Sequence, residues 1–175
     1  MTISRNHNSI FASVYLIYCL GDEIMGKENM LGTDVVVHIA LVVNDIEKTS
    51  QAYANFFGVE VPKAQWTLPY EESQVELRGE PVEARALHCF FKIGNLEVEL
   101  IEPDEHPSIW REQLEKHGEG FHHIALVVNG LKHIISDMEN KQMPLLQKGE
   151  YHGGRYAYMD TVDELKLMIE LLEND

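Results

Sequence analysis

The chain has 175 residues, of which 45% are hydrophobic and 25% charged, and a formal net charge of −15. That length suffices for one domain with a full hydrophobic core, or for two half-domains sharing one, and the composition excludes a disordered chain. The acidic balance excludes nucleic acid and anionic membrane as general partners, since both need a basic face that displaces counterions.

The first segment, residues 1–30, is predicted to be an extension. It contains an apolar run, Ile10–Leu20 (IFASVYLIYCL), preceded by Arg5 and followed by Gly21-Asp22-Glu23. The run is shorter than the roughly 20 apolar residues a transmembrane helix needs, and no small-x-small cleavage pattern follows it. Met25 or Met30 is a candidate start, with an added packed helix or strand as the alternative, and the expected location is the cytoplasm. Two cysteines, Cys19 and Cys89, sit in apolar surroundings without zinc or redox spacing, as reduced buried thiols do.

From there the predicted elements alternate in a set order. A nearly continuous apolar strand over 35–43 reads as buried on both faces. An amphipathic helix over 45–57 follows, with Asn or Asp at its start and Gly58 where it should stop. A short strand is predicted at 59–61. The polar stretch between Pro62 and Ala86, with five glutamates, is expected to be a loop or an extra hairpin. Strands over 87–93 and 95–102 are joined at Gly94-Asn95, and Pro107–His117 forms a linker helix closed by Gly118. The pattern then recurs: strand 121–128, helix 130–141 with Asn129 near its cap, and strands 144–148, 155–160 and 165–173. The predicted fold is α+β, a single domain over 31–175 built from two βαβββ modules, 35–102 and 121–173.

The modules share sequence as well as order. "HIALVV" occurs at His38–Val43 and again at His123–Val128, and Val98–Glu102 (VELIE) is matched by Ile169–Glu173 (IELLE). From His38 to Glu99 is 61 positions and from His123 to Glu170 is 47, so the first module is longer by 14. Strand alternation puts His38, Ala40 and Val42 on one face and predicts that His122, next to His123, points the other way. Glu99 and Glu170 match, with Glu102 and Glu173 three residues on and on the opposite face. A buried carboxylate without a partner costs several kcal/mol. Two His and two Glu at equivalent points of a duplicated unit can answer each other about a pseudo-twofold axis. One divalent cation would neutralise both carboxylates and use both imidazoles; Zn, Ni, Co, Mn and Fe suit such nitrogen and oxygen donors. Any one of these residues alone reads more simply as a hydrogen-bonded core histidine or an edge glutamate. Their recurrence in register carries the metal reading.

These same stretches, "VHIALVVND", "HHIALVVN", "EVELIEP" and "MIELLE", resemble the vicinal oxygen chelate superfamily, which includes glyoxalase I, methylmalonyl-CoA epimerase, extradiol dioxygenases and bleomycin-resistance proteins. The resemblance is greatest to the epimerases and covers roughly Val35 to Glu173, including "KIGNLEVELIEP" and "LEKHGEGFHHIA". It implies a cup-shaped mixed sheet around one divalent ion, with His38, Glu99, His123 and Glu170 as ligands, and a homodimer. It implies Glu170 as the proton acceptor, because glyoxalases of the family use a ligand glutamate this way. His88 falls where some epimerases place a catalytic carboxylate, and a histidine there could move a proton near neutral pH; a backbone hydrogen bond is its simpler role. Within Gly149–Tyr158 (GEYHGGRYAY), His152, Arg155 and Tyr158 are candidate substrate contacts, Arg155 as a fork for a carboxylate or phosphate, or else as a surface ion pair. Asp160-Thr161 stands where epimerases usually carry His-Pro. The implied function is a metal-dependent isomerase or lyase, epimerase-like or glyoxalase-like. It would remove a proton next to the carbonyl of a small carbonyl or acyl-thioester substrate. The alternatives are a metal-free small-molecule binding protein and an Fe(II) extradiol-type dioxygenase.

Overall fold

The two copies of the hexapeptide lie side by side. The first forms strand β1 (Val36–Val42) and the second β7 (Gly120–Val127), paired antiparallel at the centre of one ten-stranded sheet. The computed structural model describes residues 29–175; the Ile10–Leu20 run, Cys19 and Met25 lie outside the described residues.

Module one continues from β1 through helix α1 (Ile46–Phe57) and strands β2 (Gln65–Trp66), β5 (Ala86–Ile93) and β6 (Leu96–Pro103). Helix α3 (Ile109–His117) links it to module two, which is β7, α4 (Leu131–Glu139), β8 (Leu145–Tyr151), β9 (Gly154–Met159) and β10 (Met168–Asn174). In each module the first strand pairs parallel with the last, β1 with β6 and β7 with β10, and the remaining pairs are antiparallel. With the short strands β3 (Glu76–Leu77) and β4 (Glu80–Pro81) the strand order is β2-β5-β6-β1-β7-β10-β9-β8-β3-β4, and the sheet is strongly curled into a half-barrel. The expected α+β fold with two βαβββ modules is what the chain adopts.

Both faces of β1 are covered, which explains its apolar run. Val43, with Ile39 and Leu41 beside it, packs with Ile46 and Ala54 of α1 and with Phe91 and Leu100. On the other face Ala40 and Val42 meet Ile101, Trp110, Tyr156 and Tyr158 inside the cup. Module two covers its outer face in the same way, with Leu131, Ile134 and Met138 of α4 against Leu126 and Val128.

Helix α1 is capped as its sequence predicts. Asp45 accepts from the Lys48 N–H at 2.8 Å, and Gly58, left-handed at φ 68°, donates to the Ala54 carbonyl. Asn129 does not cap α4. Glu173 does so from 42 to 43 residues away, one oxygen accepting from the Gly130 and Leu131 N–H groups at 2.6 and 2.9 Å. Its counterpart Glu102 accepts from the Ile46 N–H at 2.7 Å. The last glutamate of each repeated strand therefore holds the positive end of its own module's helix.

Two predicted elements shift, and the polar stretch of module one contains the extra hairpin expected of it. The strand expected at 59–61 is replaced by the two-residue β2, because Val59 is drawn into the helix end by its bond to the Ala54 carbonyl and Pro62 has no N–H for a ladder. The last strand starts at Met168 because Val162–Leu165 forms a single helical turn, α5. The polar stretch of module one becomes a strap. From β2, at one side of the sheet, residues 67–85 pass through the turn α2 (Tyr70–Ser73) to a hairpin, β3 (Glu76–Leu77) and β4 (Glu80–Pro81). That hairpin adds to β8 on the far side, Glu76 opposite Lys148 and Leu77 opposite Gln147. Arg78 and Gly79, at φ 50° and 84°, make its two-residue turn, the positive-φ geometry that matches strand twist.

The strap is tied to the linker helix by Arg78, whose guanidinium donates to both oxygens of Glu112 at 2.6 and 2.9 Å. Arg78 holds the Glu112 carboxyl down at about 2. A depressed carboxyl stabilises the fold above its ordinary value of 4.5 and loses that contribution as pH falls toward about 2. Arg78→Ala is therefore expected to lower stability at pH 7 by under about 1 kcal/mol, since the pair is half exposed. The difference from wild type should shrink below pH 4.5 in urea titrations. A loss that does not change with pH would contradict the ion pair as its cause.

Candidate metal centre

The repeated strands aim their polar residues at one point. Ala40 lies between His123 on β7 and Glu99 on β6, and Ala125 lies between His38 on β1 and Glu170 on β10. Both alanines are fully buried, so the smallest chiral side chain leaves room for the imidazole and carboxylate on either side. The β1–β7 ladder slips twice, at Val37 in one strand and at His122 in the other. Each slip is a bulge immediately before the repeated histidine.

The bulge corrects the expectation for His122. Strict alternation would turn it away from His123, but it is buried beside it, Nδ1 to Nδ1 at 2.8 Å, with its ring 5.8 Å from that of Tyr158. Burial, and then the neighbouring His123, lower the His122 pKa to about 3, so its ring is neutral. With the proton on His123 Nδ1 donated to His122 Nδ1, the His123 Nε2 lone pair is left facing the centre.

His38 Nε2 is 3.2 Å from His123 Nε2, and Glu170 Oε2 is 3.0 and 3.2 Å from these two nitrogens. Glu99 Oε2 is 3.4 and 3.7 Å from them. All four residues are buried. Donors bound to one ion at ~2.1 Å sit ~3.0 Å apart at right angles and ~3.4 Å apart at tetrahedral angles, which brackets nearly all of these distances. Glu170 Oε2 is a buried oxygen that makes no hydrogen bond among the described residues, although two imidazole nitrogens are within reach. It is directed at the shared centre and not along a donor N–H, and a cation would satisfy it. His38, Glu99 and His123 could bind a metal ion, and Glu170 stands against the same nitrogens.

The charges are mutually dependent. Burial pulls the His38 pKa down, but the Glu170 carboxylate beside it and the Glu99 charge outweigh it, and the net shift is upward. Burial pushes Glu170 up, and His123 and His38 overcome it, so its carboxyl is held well below the ordinary range. The other oxygen of Glu99 is 2.9 Å from His88 Nδ1, on β5.

A cavity of about 420 Å³ opens on this cluster. Tyr158 and His88 are in its wall, and His152 is at its edge with Glu150 and Tyr151. The Tyr158 ring is 5.0 Å from that of His123; burial, then the Glu170 and Glu99 charges, raise its phenol well above the ordinary range. Arg155 does not line the cavity. It pairs with Glu173 at 3.0 Å, with Asp175 and with Glu150 at 3.5 Å, so its fork is spent on surface acids and on the residue that caps α4. Asp160-Thr161 also lies outside the cavity wall, and Thr161 donates to the Leu167 carbonyl at 2.6 Å around the α5 turn. Trp110 and Ser73 line the cavity without having been singled out in the sequence. Trp110 reads as the buried side of an amphipathic helix, and Ser73 lies in a loop with no periodic signal.

Paired βαβββ modules in a curled sheet, with His and Glu converging from equivalent strands, define a family. The chain belongs to the Glyoxalase/Bleomycin resistance protein/Dioxygenase superfamily, whose sequence profile matches residues 37–158. Among similar proteins, human mitochondrial methylmalonyl-CoA epimerase is 27% identical over 155 residues, spanning 86% of this chain and 78% of that one. The uncharacterized protein YqjC of Bacillus subtilis (strain 168) is 26% identical over 140 residues, 78% of this chain and 89% of its own length. The crystal structure of methylmalonyl-CoA epimerase from Mycobacterium tuberculosis shares the fold with a TM-score of 0.56 at 17% identity, covering 87% of this chain and 94% of that one. A methylmalonyl-CoA epimerase in complex with methylmalonyl-CoA and NH4+ does so with a TM-score of 0.51 at 23% identity, covering 79% and 93%.

Protein purified without chelator is expected to carry about one divalent ion per chain by mass spectrometry, and Glu99→Ala to lose most of it. His88→Ala should weaken binding by about 10- to 100-fold in competition titrations, the usual cost of losing a group that orients a ligand. The pH dependence follows from His38. Its raised pKa stabilises the metal-free fold below the ordinary 6.5, and that stabilisation is lost as pH rises through the raised value. Metal binding needs the neutral ring and should strengthen over the same rise. No metal in the wild type and none taken up on addition would show that the cluster is an ion-pair network only.

Proposed function

We propose that the chain is a divalent-metal-dependent isomerase of the epimerase type, which removes and returns a proton on a carbon next to a carbonyl. The observation that supports this best is the buried, unpartnered Glu170 Oε2 among two imidazoles and a second carboxylate, in a cavity wall. The family and the 27% identity to an epimerase agree with it. His38, Glu99, His123 and Glu170 would hold the ion, which when bound supplies positive charge where negative charge builds on the substrate oxygen.

The chain's own groups divide the proton transfers. Glu170 is kept ionised by His38 and His123, and with Oε2 turned to their nitrogens its Oε1 is the proton acceptor. Tyr158, on the neighbouring strand β9, keeps its phenol proton and acts as a neutral donor in the same wall. His88 is on β5, in the other module's half of the sheet. Its Nδ1 is taken up by Glu99, so Nε2 is the atom that exchanges a proton with substrate. An epimerase needs an acid or base on each side of the carbon, and Glu170 and His88 supply the two.

The test is deuterium uptake in D2O, followed by mass spectrometry, with methylmalonyl-CoA, an α-oxoaldehyde–thiol adduct and uncharged 2-alkyl-3-oxoesters. Glu170→Gln is expected to slow uptake by about 10²- to 10⁴-fold. His88→Gln should retain uptake while losing inversion, since one of the two proton-transferring groups remains. Metal-loaded protein that labels none of these compounds would refute the proposal.

A further inference from the structure

We propose that the strap restricts the cavity to a compact, uncharged carbonyl compound, and that Ser73 is its hydrogen-bonding contact away from the metal cluster; the substrate class named here rests on the reaction proposed above. The strap is what the first module has and the second lacks, so its contribution is separable from the duplicated frame. Thr67, Leu68, Ser73 and Val75 make one wall of the 420 Å³ cavity. That wall is fixed at both ends: before it β2 is laddered to β5, and after it the hairpin is laddered to β8 with Arg78 held by Glu112. A volume of this size suits one small molecule.

Charge then narrows the class. Apart from the His–Glu cluster, the walls are largely apolar, with Val37, Phe90, Ile101, Trp110 and Leu172 among them. Among the described residues lining the cavity none is Lys or Arg, and Glu97 and Glu150 add negative charge. Cations around the strap are already engaged. Lys148 pairs with Glu76 at 3.1 Å, and Arg85 donates to the Thr67 carbonyl while lying over the Trp66 ring. Phosphates or a free carboxylate brought here would lose hydration and meet carboxylates in place of a cationic fork. An uncharged carbonyl compound meets neither penalty.

Ser73 supplies the specific contact. It is 2% exposed, belongs to the cavity lining, and its hydroxyl has no hydrogen-bond partner among the described residues. The turn does not need it: the Gln74 side chain donates to the Tyr70 and Glu71 carbonyls, and backbone bonds from Ser73 and Gln74 close the rest. Buried hydroxyls are nearly always paired, so one left without a partner in a residue of a binding wall points to a ligand as its missing partner.

The experiment uses the full chain with its divalent ion and three probes: ethyl 2-methylacetoacetate, its 2-hydroxyethyl ester, and methylmalonyl-CoA. Binding is measured by calorimetry and α-deuterium uptake by NMR, with the spontaneous rate subtracted. The esters are expected to bind at least about tenfold more tightly than methylmalonyl-CoA. Ser73→Ala should raise KM about tenfold for the hydroxyethyl ester and less for the ethyl ester, and leave Tm the same or higher, because it removes an unpaired buried hydroxyl. Ser73→Thr should retain the hydroxyethyl preference. Methylmalonyl-CoA binding as tightly as the esters, or equal losses for both esters in Ser73→Ala, would overturn the inference. Tight ester binding without deuterium uptake from any probe would overturn the proposed reaction and leave the selectivity standing.

Discussion

Two glutamates lie in interior strands of an apolar sheet, and the structure depends on how that burial is resolved. Glu99 and Glu170 sit on β6 and β10, each paired on both sides by other strands, where an unpartnered carboxylate costs several kcal/mol. The resolution draws on both modules. Each glutamate stands against one repeated histidine of its own module and one of the other, so both halves contribute to the surroundings of each carboxylate. The antiparallel pairing of β1 with β7 brings the four groups together, and the paired bulges and the two buried alanines give them space. The hexapeptide is repeated because each of its polar and small positions has a task in both copies.

The same strands set the positions of the helices. Three residues beyond each buried glutamate, on the opposite face, Glu102 or Glu173 binds the N-terminal N–H groups of α1 or α4. One five-residue motif thus puts a charge inside the cup and a helix cap outside it. This couples the register of β6 and β10 to the seating of the outer helices, and a one-residue slip would lose both functions at once. Cys89, buried on β5 in the layer under α1, belongs to this outer packing; burial, then the Glu99 charge, pushes its thiol up to about 11.

Symmetry is broken by the strap, and that break adds a wall to the cup. Module two has a seven-residue strand, β8, at the place where module one has only the two residues of β2. The residues that follow β2 instead cross to β8 and extend the other half of the sheet. The His–Glu cluster is therefore the property of the duplicated frame, while one wall of the space above it comes from the part that is not duplicated.

The sequence by itself determined the module order, the spans of most elements and which four residues come together. Those depend on local rules: a period of two that assigns strand faces, caps such as Asp45 and Gly58, and a repeat that places equivalent side chains at equivalent points. Only the tertiary structure decided the orientation of His122, since a bulge depends on how two strands 85 residues apart slip against each other. It decided that Glu173 and not Asn129 caps α4, and that Arg155 is held by Glu173 and Asp175. It also decided where the strap lands, because the pairing of Glu76 and Leu77 with β8 is a contact between segments about 70 residues apart, for which a polar stretch carries no periodic signal. Local periodicity encodes the face a residue presents; which partner waits on that face is settled only when distant strands meet.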